Sequence, residues 1–438
     1  MTQKFISSAV DLPKTADVII IGGGPAGTAA LWAIERFAPG TKTLLLERSD
    51  RLGAGSSTAS LENFRTCWPA LPLAKQMQRS MEVFHNADEY LGEDAAQSIA
   101  VKEHGYLFCA FNERQAAGYH ADVERLHAIG LKHIEYLDTA TVADRFGWVG
   151  DRVIGAKYDP VAGWLDSNAL VYRYAACANS AQIMLGAQDI QIVVNGGKVT
   201  GVSVGVNFVS SPNAIIAAGA WSRALGRTGG VELPIIIRPR QSFTTGWRHA
   251  EFPENAPMLI SNAPHVRPEA RDGAIFGWEY NWKNKYVDPK YGSNGAHDAI
   301  FDPVPRLNDL KDPRFPSVAL MLLAKQFGHE GGEGFGDSRY LRGISHNIGY
   351  YTYRDGTTAY REENGTRRPY DSERAIIDAH PEVGGLFLSV AHVGHGIMTS
   401  PASGEIVASK VLGLPLPDPV FSQFGLDANW VEYDESVL

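Results

Sequence analysis

The sequence predicts an α/β fold in two domains, one Rossmann-like and the other a mixed-sheet α+β unit, on three observations. An apolar β-branched run near the start passes through a glycine-rich turn into a segment of helical composition. A second apolar run follows and ends in an acid, Glu47. The length, 438 residues, exceeds what one hydrophobic core comfortably fills.

The first run, Asp17-Val-Ile-Ile-Ile-Gly22, reads as a strand buried on both faces. Gly22 permits the tight turn that leaves it. Gly24 lets the backbone approach a pyrophosphate, and Gly27 lets helix and strand pack closely, with Pro25 and Ala26 between them. The helix Thr28–Arg36 then presents free N–H groups and a partial positive charge to a diphosphate. Glu47 closes the next strand, Thr43–Glu47, at the distance from which an acid accepts hydrogen bonds from an adenosine ribose. This is a Rossmann-like dinucleotide unit. The motif does not itself separate FAD from NAD, although its early position leans towards FAD.

Arg48 opens a segment of small and hydroxylated residues that includes Gly55, Ser56 and Ser57 and reaches Arg65. Such residues can wrap a phosphate or a ribityl chain with backbone and side-chain donors. The stretch Gly55–Arg65, GSSTASLENFR, resembles in spacing the G-A-S-G-R-N-A-G-G-V-R segment of the D-amino-acid/sarcosine oxidase family of FAD-dependent flavoproteins. In that family the loop passes the isoalloxazine ring and its arginine faces flavin or substrate. The resemblance therefore implies cofactor contacts at Arg48, Gly55, Ser56 and Ser57 and a catalytic-site role for Arg65. Glu62 and Asn63 stand where the family has a small pair, which implies an atypical pocket.

Val153–Ala169 resembles the family's entry into a long helix, with Asp166 or Ser167 as N-cap. The runs around Ile190–Val194 and Val199–Val204, joined by Asn195-Gly196-Gly197, predict a hairpin. Ala214–Ser222 resembles the second flavin-side motif, a buried strand ending in Ala218-Gly219 with Trp221 opening the next helix, so Ala218, Gly219 and Trp221 join the cofactor candidates. Pro234–Gln241 resembles the strand that crosses into the substrate domain, and Ala274–Tyr280 is strand-like. Residues 281–345, rich in Gly, Pro, Asp and aromatics, match the family poorly and read as an insertion over the pocket or at an interface. The expected division is 1–85, 151–232 and 371–438 for the FAD-binding domain, with 86–150 and 233–370 for the substrate-binding domain.

Near the end, Ile376-Ile-Asp-Ala-His-Pro381 and Gly394-His395-Gly396-Ile397-Met398 resemble the "I-I-D-x-H-P" and "G-H-G-F-K" arrangement of monomeric sarcosine oxidase and its relatives. The resemblance places Gly394, His395, Gly396, Ile397 and Met398 at the pyrimidine end of the flavin, where backbone donors stabilise negative charge. His392 reads as an ordinary hydrogen-bonded histidine. Two departures matter. Gly349, before Tyr350-Tyr351-Thr352, stands where covalent members carry a cysteine, so the FAD is expected to be noncovalent. Met398 replaces the lysine that can hold a substrate carboxylate, so Arg65 or Arg240 must serve, or the substrate lacks one.

The resemblance implies oxidation of the C–N bond of an amine or amino acid by hydride transfer to the flavin, with O2 or another electron acceptor. Tyr351, beside Tyr350 and Tyr353, is a candidate catalytic residue, although aromatic clusters also build cores. Lys283 is a candidate for oxygen activation, although a surface lysine would look the same. Competing readings are a monooxygenase-type flavoprotein using NAD(P)H and a non-catalytic FAD-containing electron-transfer subunit.

A net charge of −9 argues against nucleic acid or anionic membrane as general partners. No apolar run reaches the length of a membrane span. The three cysteines, Cys67, Cys109 and Cys177, form no CxxC pair and suit a reducing compartment. The expectation is a cytoplasmic enzyme without a metal, with homodimer formation left open.

Overall fold

The computed structural model describes residues 4–261, 264–278, 304, 310–328, 334–354, 360–363, 366–369 and 374–428. Its first sheet has seven strands in the order Lys4–Ile6, Gln182–Met184, Thr43–Leu46, Val18–Ile21, Ala214–Ile216, Leu386–Val390 and Ile376–Ala379. Every neighbouring pair is parallel except the last, which is antiparallel. All four residues of Val18–Ile21 and of Thr43–Leu46 are buried, because both faces of this sheet are covered.

The alternation of a strand decides which residue faces which cover. Ile20 and Leu45 enter one core with the helix Pro25–Phe37, the helix Ser167–Cys177 and Ile406 and Val407 of the helix Ser400–Leu412. Ile19, Ile21, Leu44 and Leu46 enter another with Ile192, Val202 and Val209. Those last residues come from a three-stranded antiparallel sheet, Ile190–Asn195, Lys198–Val204 and Asn207–Ser210. The expected hairpin is its first half. Gly196 and Gly197 both have positive φ, 58° and 73°, the pair of left-handed positions that a tight two-residue hairpin turn requires.

The helices Pro25–Phe37 and Ser400–Leu412 cross with their backbones almost touching. A Cβ on Gly404 would sit 2.4 Å from the Ala29 carbonyl oxygen. Beside this crossing the buried Glu405 accepts from Arg36 at 2.7 Å and from Arg79 at 2.8 and 2.6 Å, tying the helix Leu71–His85 to the pair.

The second sheet has eight strands in the order Ser345–Arg354, Ile235–Thr245, Gly273–Trp278, His265–Glu269, Met258–Ile260, Tyr106–Ala110, Gly155–Asp159 and Glu135–Asp138. It is mixed: Met258–Ile260 runs parallel to Tyr106–Ala110, and the other pairs are antiparallel. Gly155–Asp159 belongs to this sheet, although the sequence-based boundary at 151 sets it with the other. Within the expected insertion, the helix Phe315–Gln326 packs Phe315, Ala319, Leu320 and Leu323 into this sheet's core, with Phe243 stacked on Phe276 at 4.5 Å. That part of 281–345 is structural cover for the sheet. The chain is thus a mixed α/β fold with a Rossmann-like parallel sheet and a second, mixed sheet.

Candidate active site

A cavity of about 440 Å³ lies beyond the carboxyl ends of the parallel strands. Chain leaving Val18–Ile21, Thr43–Leu46, Gln182–Met184, Ala214–Ile216 and Leu386–Val390 all contributes to its walls, the position where open α/β sheets bind ligands. Of the expected cofactor residues, Gly22, Gly24, Pro25, Ala26, Glu47, Arg48, Gly55, Ser56, Ser57, Ala218, Gly219, Trp221, Gly394, Gly396 and Ile397 line it.

The glycines divide by what surrounds them. Gly22, at φ 118°, would place a Cβ 2.2 Å from the Ala217 carbonyl oxygen, and Gly27 would place one 1.9 Å from that of Gly22. These two are fixed by the protein's own packing, and Gly27 sits behind the cavity wall. Gly24 and Gly55 would meet no protein atom within 4 Å, so their missing side chains leave open space. Glu47 is held at the strand end by the Gly23 and Ser49 N–H groups, each at 2.7 Å, one to each carboxylate oxygen. Each oxygen keeps a lone pair for a ribose hydroxyl. The Arg48 guanidinium lies 4.1 Å from the Trp221 ring, and the Tyr350 N–H donates to Ser56 Oγ at 2.7 Å.

The turn after Leu386–Val390 is strained. Ala391 and Val393 both lie in the left-handed region, at φ 58° and 53°. For a β-branched residue this is a genuine outlier, and such outliers gather at functional sites. The Val393 N–H donates to the Thr352 carbonyl at 2.9 Å, and a Cβ on Gly394 would meet the Tyr351 ring at 2.8 Å. Here the turn of the parallel sheet is locked onto the strand Ser345–Arg354 of the mixed one.

A second cavity, about 340 Å³, adjoins the first, and Ser60, Tyr351, Val393, Gly394 and Ile397 line both. Its other walls include Glu62, Arg65, Trp68, Tyr106, Phe108, Arg240 and Trp278. His395 and Met398, expected against the cofactor, line this cavity and not the first. Arg65 is buried, its guanidinium 3.7 Å from the Trp68 ring, while Trp68 Nε1–H donates to the Arg65 carbonyl at 3.0 Å. Trp68 in turn meets the His395 ring edge-on at 4.2 Å. Burial, with Arg65 and His392 adding to it, pulls His395 down to about 3, so the ring is neutral at pH 7. Burial also pulls His265, on the same cavity, down to about 4. Lys283 lies outside the described residues.

The sequence reading missed the supports behind these walls. Asp159, fully buried, accepts from the Thr66 and Cys67 N–H groups at 2.7 and 3.0 Å and so fixes the segment that carries Arg65 and Trp68. Arg267, also buried, donates to the Leu61 carbonyl at 3.0 and 2.7 Å and to Asn63 Oδ1 at 3.0 Å, holding the loop around Glu62. Asp159 stands in an Asp-Pro step, before Pro160 within Val153–Ala169, which could have raised the question. The loop-holding role of Arg267 carries no local signal, since the Leu61 and Asn63 groups it holds lie some two hundred residues away.

The family described as DAO, FAD dependent oxidoreductase, matches residues 17–410. The chain belongs to that family. Among curated relatives it is 26% identical to human mitochondrial sarcosine dehydrogenase, over 58% of this chain and 27% of that one, so it spans about a quarter of that relative's length. It is 23% identical to the glycine oxidase of Geobacillus kaustophilus, over 90% of this chain and 92% of that one. Among solved structures, the L-proline dehydrogenase of P. horikoshii shares its fold at a TM-score of 0.73 and 18% identity, covering 95% of this chain and 98% of that one. This family membership makes FAD the cofactor. The first cavity fits it, with open space at Gly24 and Gly55 and a backbone-held acid at Glu47. No helix among the described residues is long and apolar enough to cross a membrane.

Proposed function

We propose that this FAD-dependent oxidoreductase oxidises the C–N bond of an amine or amino acid, giving an imine that hydrolyses. One observation carries the reading: a second cavity with an arginine and an aromatic wall shares five lining residues with the cavity that suits the flavin. That shared wall supports a substrate held against the cofactor across Tyr351, Val393 and Gly394. The relatives named sarcosine dehydrogenase and glycine oxidase support the same chemistry.

Bound FAD supplies the hydride acceptor; the chain's own residues bind and orient. Arg65, stacked on Trp68 and anchored through Asp159, is the group we assign to a substrate carboxylate, in place of the lysine that Met398 replaces. His395, neutral beside it, adds no second charge. Residues 22–27, 47–48, 55–57, 218–221 and 394–397 hold the cofactor in this reading, the parallel-sheet side serving FAD and the mixed-sheet side the substrate. The binding is noncovalent. Gly349 offers no thiol for a covalent link, and a Cβ there would stand 3.1 Å from Ser56 Cβ, so Ser56 would have to give way to any side chain at that position.

The test is anaerobic mixing of the yellow protein with primary, secondary and N-methyl amines and amino acids. Bleaching by one class is expected, and admitting air then separates oxidase from dehydrogenase. A flavin that no amine bleaches but NAD(P)H does would move the protein to the monooxygenase-type reading.

A further inference from the structure

Glu62 departs from ordinary loop chemistry in two ways at once. Its φ is 58°, in a region that side-chain-bearing residues rarely adopt, on the loop that lines the second cavity. Its carboxylate is also half-buried, without a direct ion pair among the described residues. Oε1 is fixed: it accepts from Ser167 Oγ and, at 3.3 Å, from the Ser167 N–H. Oε2 accepts no hydrogen bond from the described residues and is not among their buried, unsatisfied atoms, so it is accessible. The backbone of the residue is fully used, its N–H donating to Ser60 Oγ at 3.0 Å and its carbonyl accepting from the Leu165 N–H at 3.2 Å. One oxygen is pinned and the other is left open on a residue of the cavity wall. Among the described residues it is also the one acidic side chain on that wall.

Resting on the amine reading, we propose that Glu62 is the substrate's nitrogen anchor: Oε2 receives an N–H of the incoming ammonium and takes its proton before the α-carbon gives up hydride. The step balances. The N–H bond breaks, an O–H bond forms at Oε2, and the bonding pair stays on nitrogen as the lone pair that drives hydride departure. Amines that enter as primary or secondary ammonium ions meet this requirement; quaternary ones do not.

The surroundings set the sign of the pH effect. Burial holds Glu62 above the ordinary glutamate value, opposed by its Ser167 hydrogen bonds and by Arg267 and reinforced by Asp166. Arg65, Arg240, His265 and His395 face the same cavity from its other walls. Glu62 must be ionised to accept the proton, so turnover falls as pH drops through a value above 4.5.

The test compares anaerobic flavin bleaching by sarcosine, proline and phenylalanine in wild-type, Glu62→Gln and Ser167→Ala holoprotein across pH, with the visible spectrum reporting FAD retention. Glu62→Gln is expected to keep its FAD, to raise KM for the amine that bleaches the wild type about tenfold to a hundredfold, and to lose the acid limb. Ser167→Ala removes the Oγ hydrogen bond that favours the carboxylate and keeps the weaker one from the N–H, so its acid limb moves to higher pH. A Glu62→Gln protein with wild-type KM and an unchanged acid limb overturns the assignment alone. A wild-type protein that no amine bleaches overturns the amine reading and this assignment with it.

Discussion

The two cavities meet at one wall but are built on different principles. The first is made of backbone and small residues at the ends of parallel strands, where the position of a glycine matters more than the identity of any large side chain. The second is made of large side chains delivered by distant segments, each held by a buried partner: Arg65 through Asp159, and the Glu62 loop through Arg267. Substitutions should therefore separate. In the first cavity small added volume should abolish cofactor binding, and in the second the loss of a polar group should alter substrate handling while the protein stays yellow.

The largest effect is expected at Gly22→Val. Its side chain would enter at 2.2 Å from the Ala217 carbonyl oxygen and at an unfavourable φ, so the protein should purify without FAD and with lowered stability. Gly24→Val sharpens the comparison, because no protein atom lies within 4 Å of its added Cβ. Melting of the FAD-free protein should be nearly unchanged while FAD affinity collapses. Equal loss of FAD-free stability in both variants would show that Gly24, too, is kept small by the protein and not by the cofactor.

Next comes Glu405→Ala, which removes the shared partner of Arg36 and Arg79 beside the helix crossing. Breaking a buried ion pair by deleting one partner costs about 3–5 kcal/mol, and Arg36 is exposed enough to soften that. A fall in melting temperature should appear with and without FAD. In the second cavity, Arg65→Met should leave the visible spectrum intact and weaken a carboxylate-bearing amine about tenfold to a hundredfold in bleaching titrations. The same variant should barely affect an amine without a carboxylate; equal loss for both would remove Arg65 from carboxylate recognition.

This contrast also explains what was legible in the sequence. Gly22, Glu47, the Ser56–Ser57 pair and Gly219 stand at fixed offsets from strand and helix signals, because the nucleotide site is assembled from short local turns. The hairpin at Asn195-Gly196-Gly197 was readable for the same reason. Arg267 reaching Asn63, Asp159 reaching Thr66, and Gly155–Asp159 pairing in the mixed sheet all depend on contacts between remote segments, for which no periodicity or spacing exists. His395 and Met398 stand in the expected turn but line the second cavity and not the first: spacing identifies a turn, while the cavity a residue lines depends on the turn's path, which includes the left-handed Ala391 and Val393.

The smallest effect concerns His395, and it tests whether this histidine of the second cavity's wall is kept neutral. Folding lowers this histidine from 6.5 to about 3, chiefly by burial. Above pH 6.5 it is neutral in both folded and unfolded chains and makes no difference. Below that the unfolded chain binds a proton that the folded chain refuses, so stability falls as pH drops from 6.5 towards 3, by about 1.4 kcal/mol per pH unit. His265 and His392, both lowered to about 4 by burial, act in the same direction. His395→Phe keeps a ring against Trp68 and removes one titrating site, so its melting temperature should decline less steeply than the wild type's between pH 6.5 and 4. Identical slopes would mean that His395 already takes up a proton in the folded chain. The wall beside Arg65 would then gain a further positive charge in acid, and anionic substrates should bind more tightly there as pH falls.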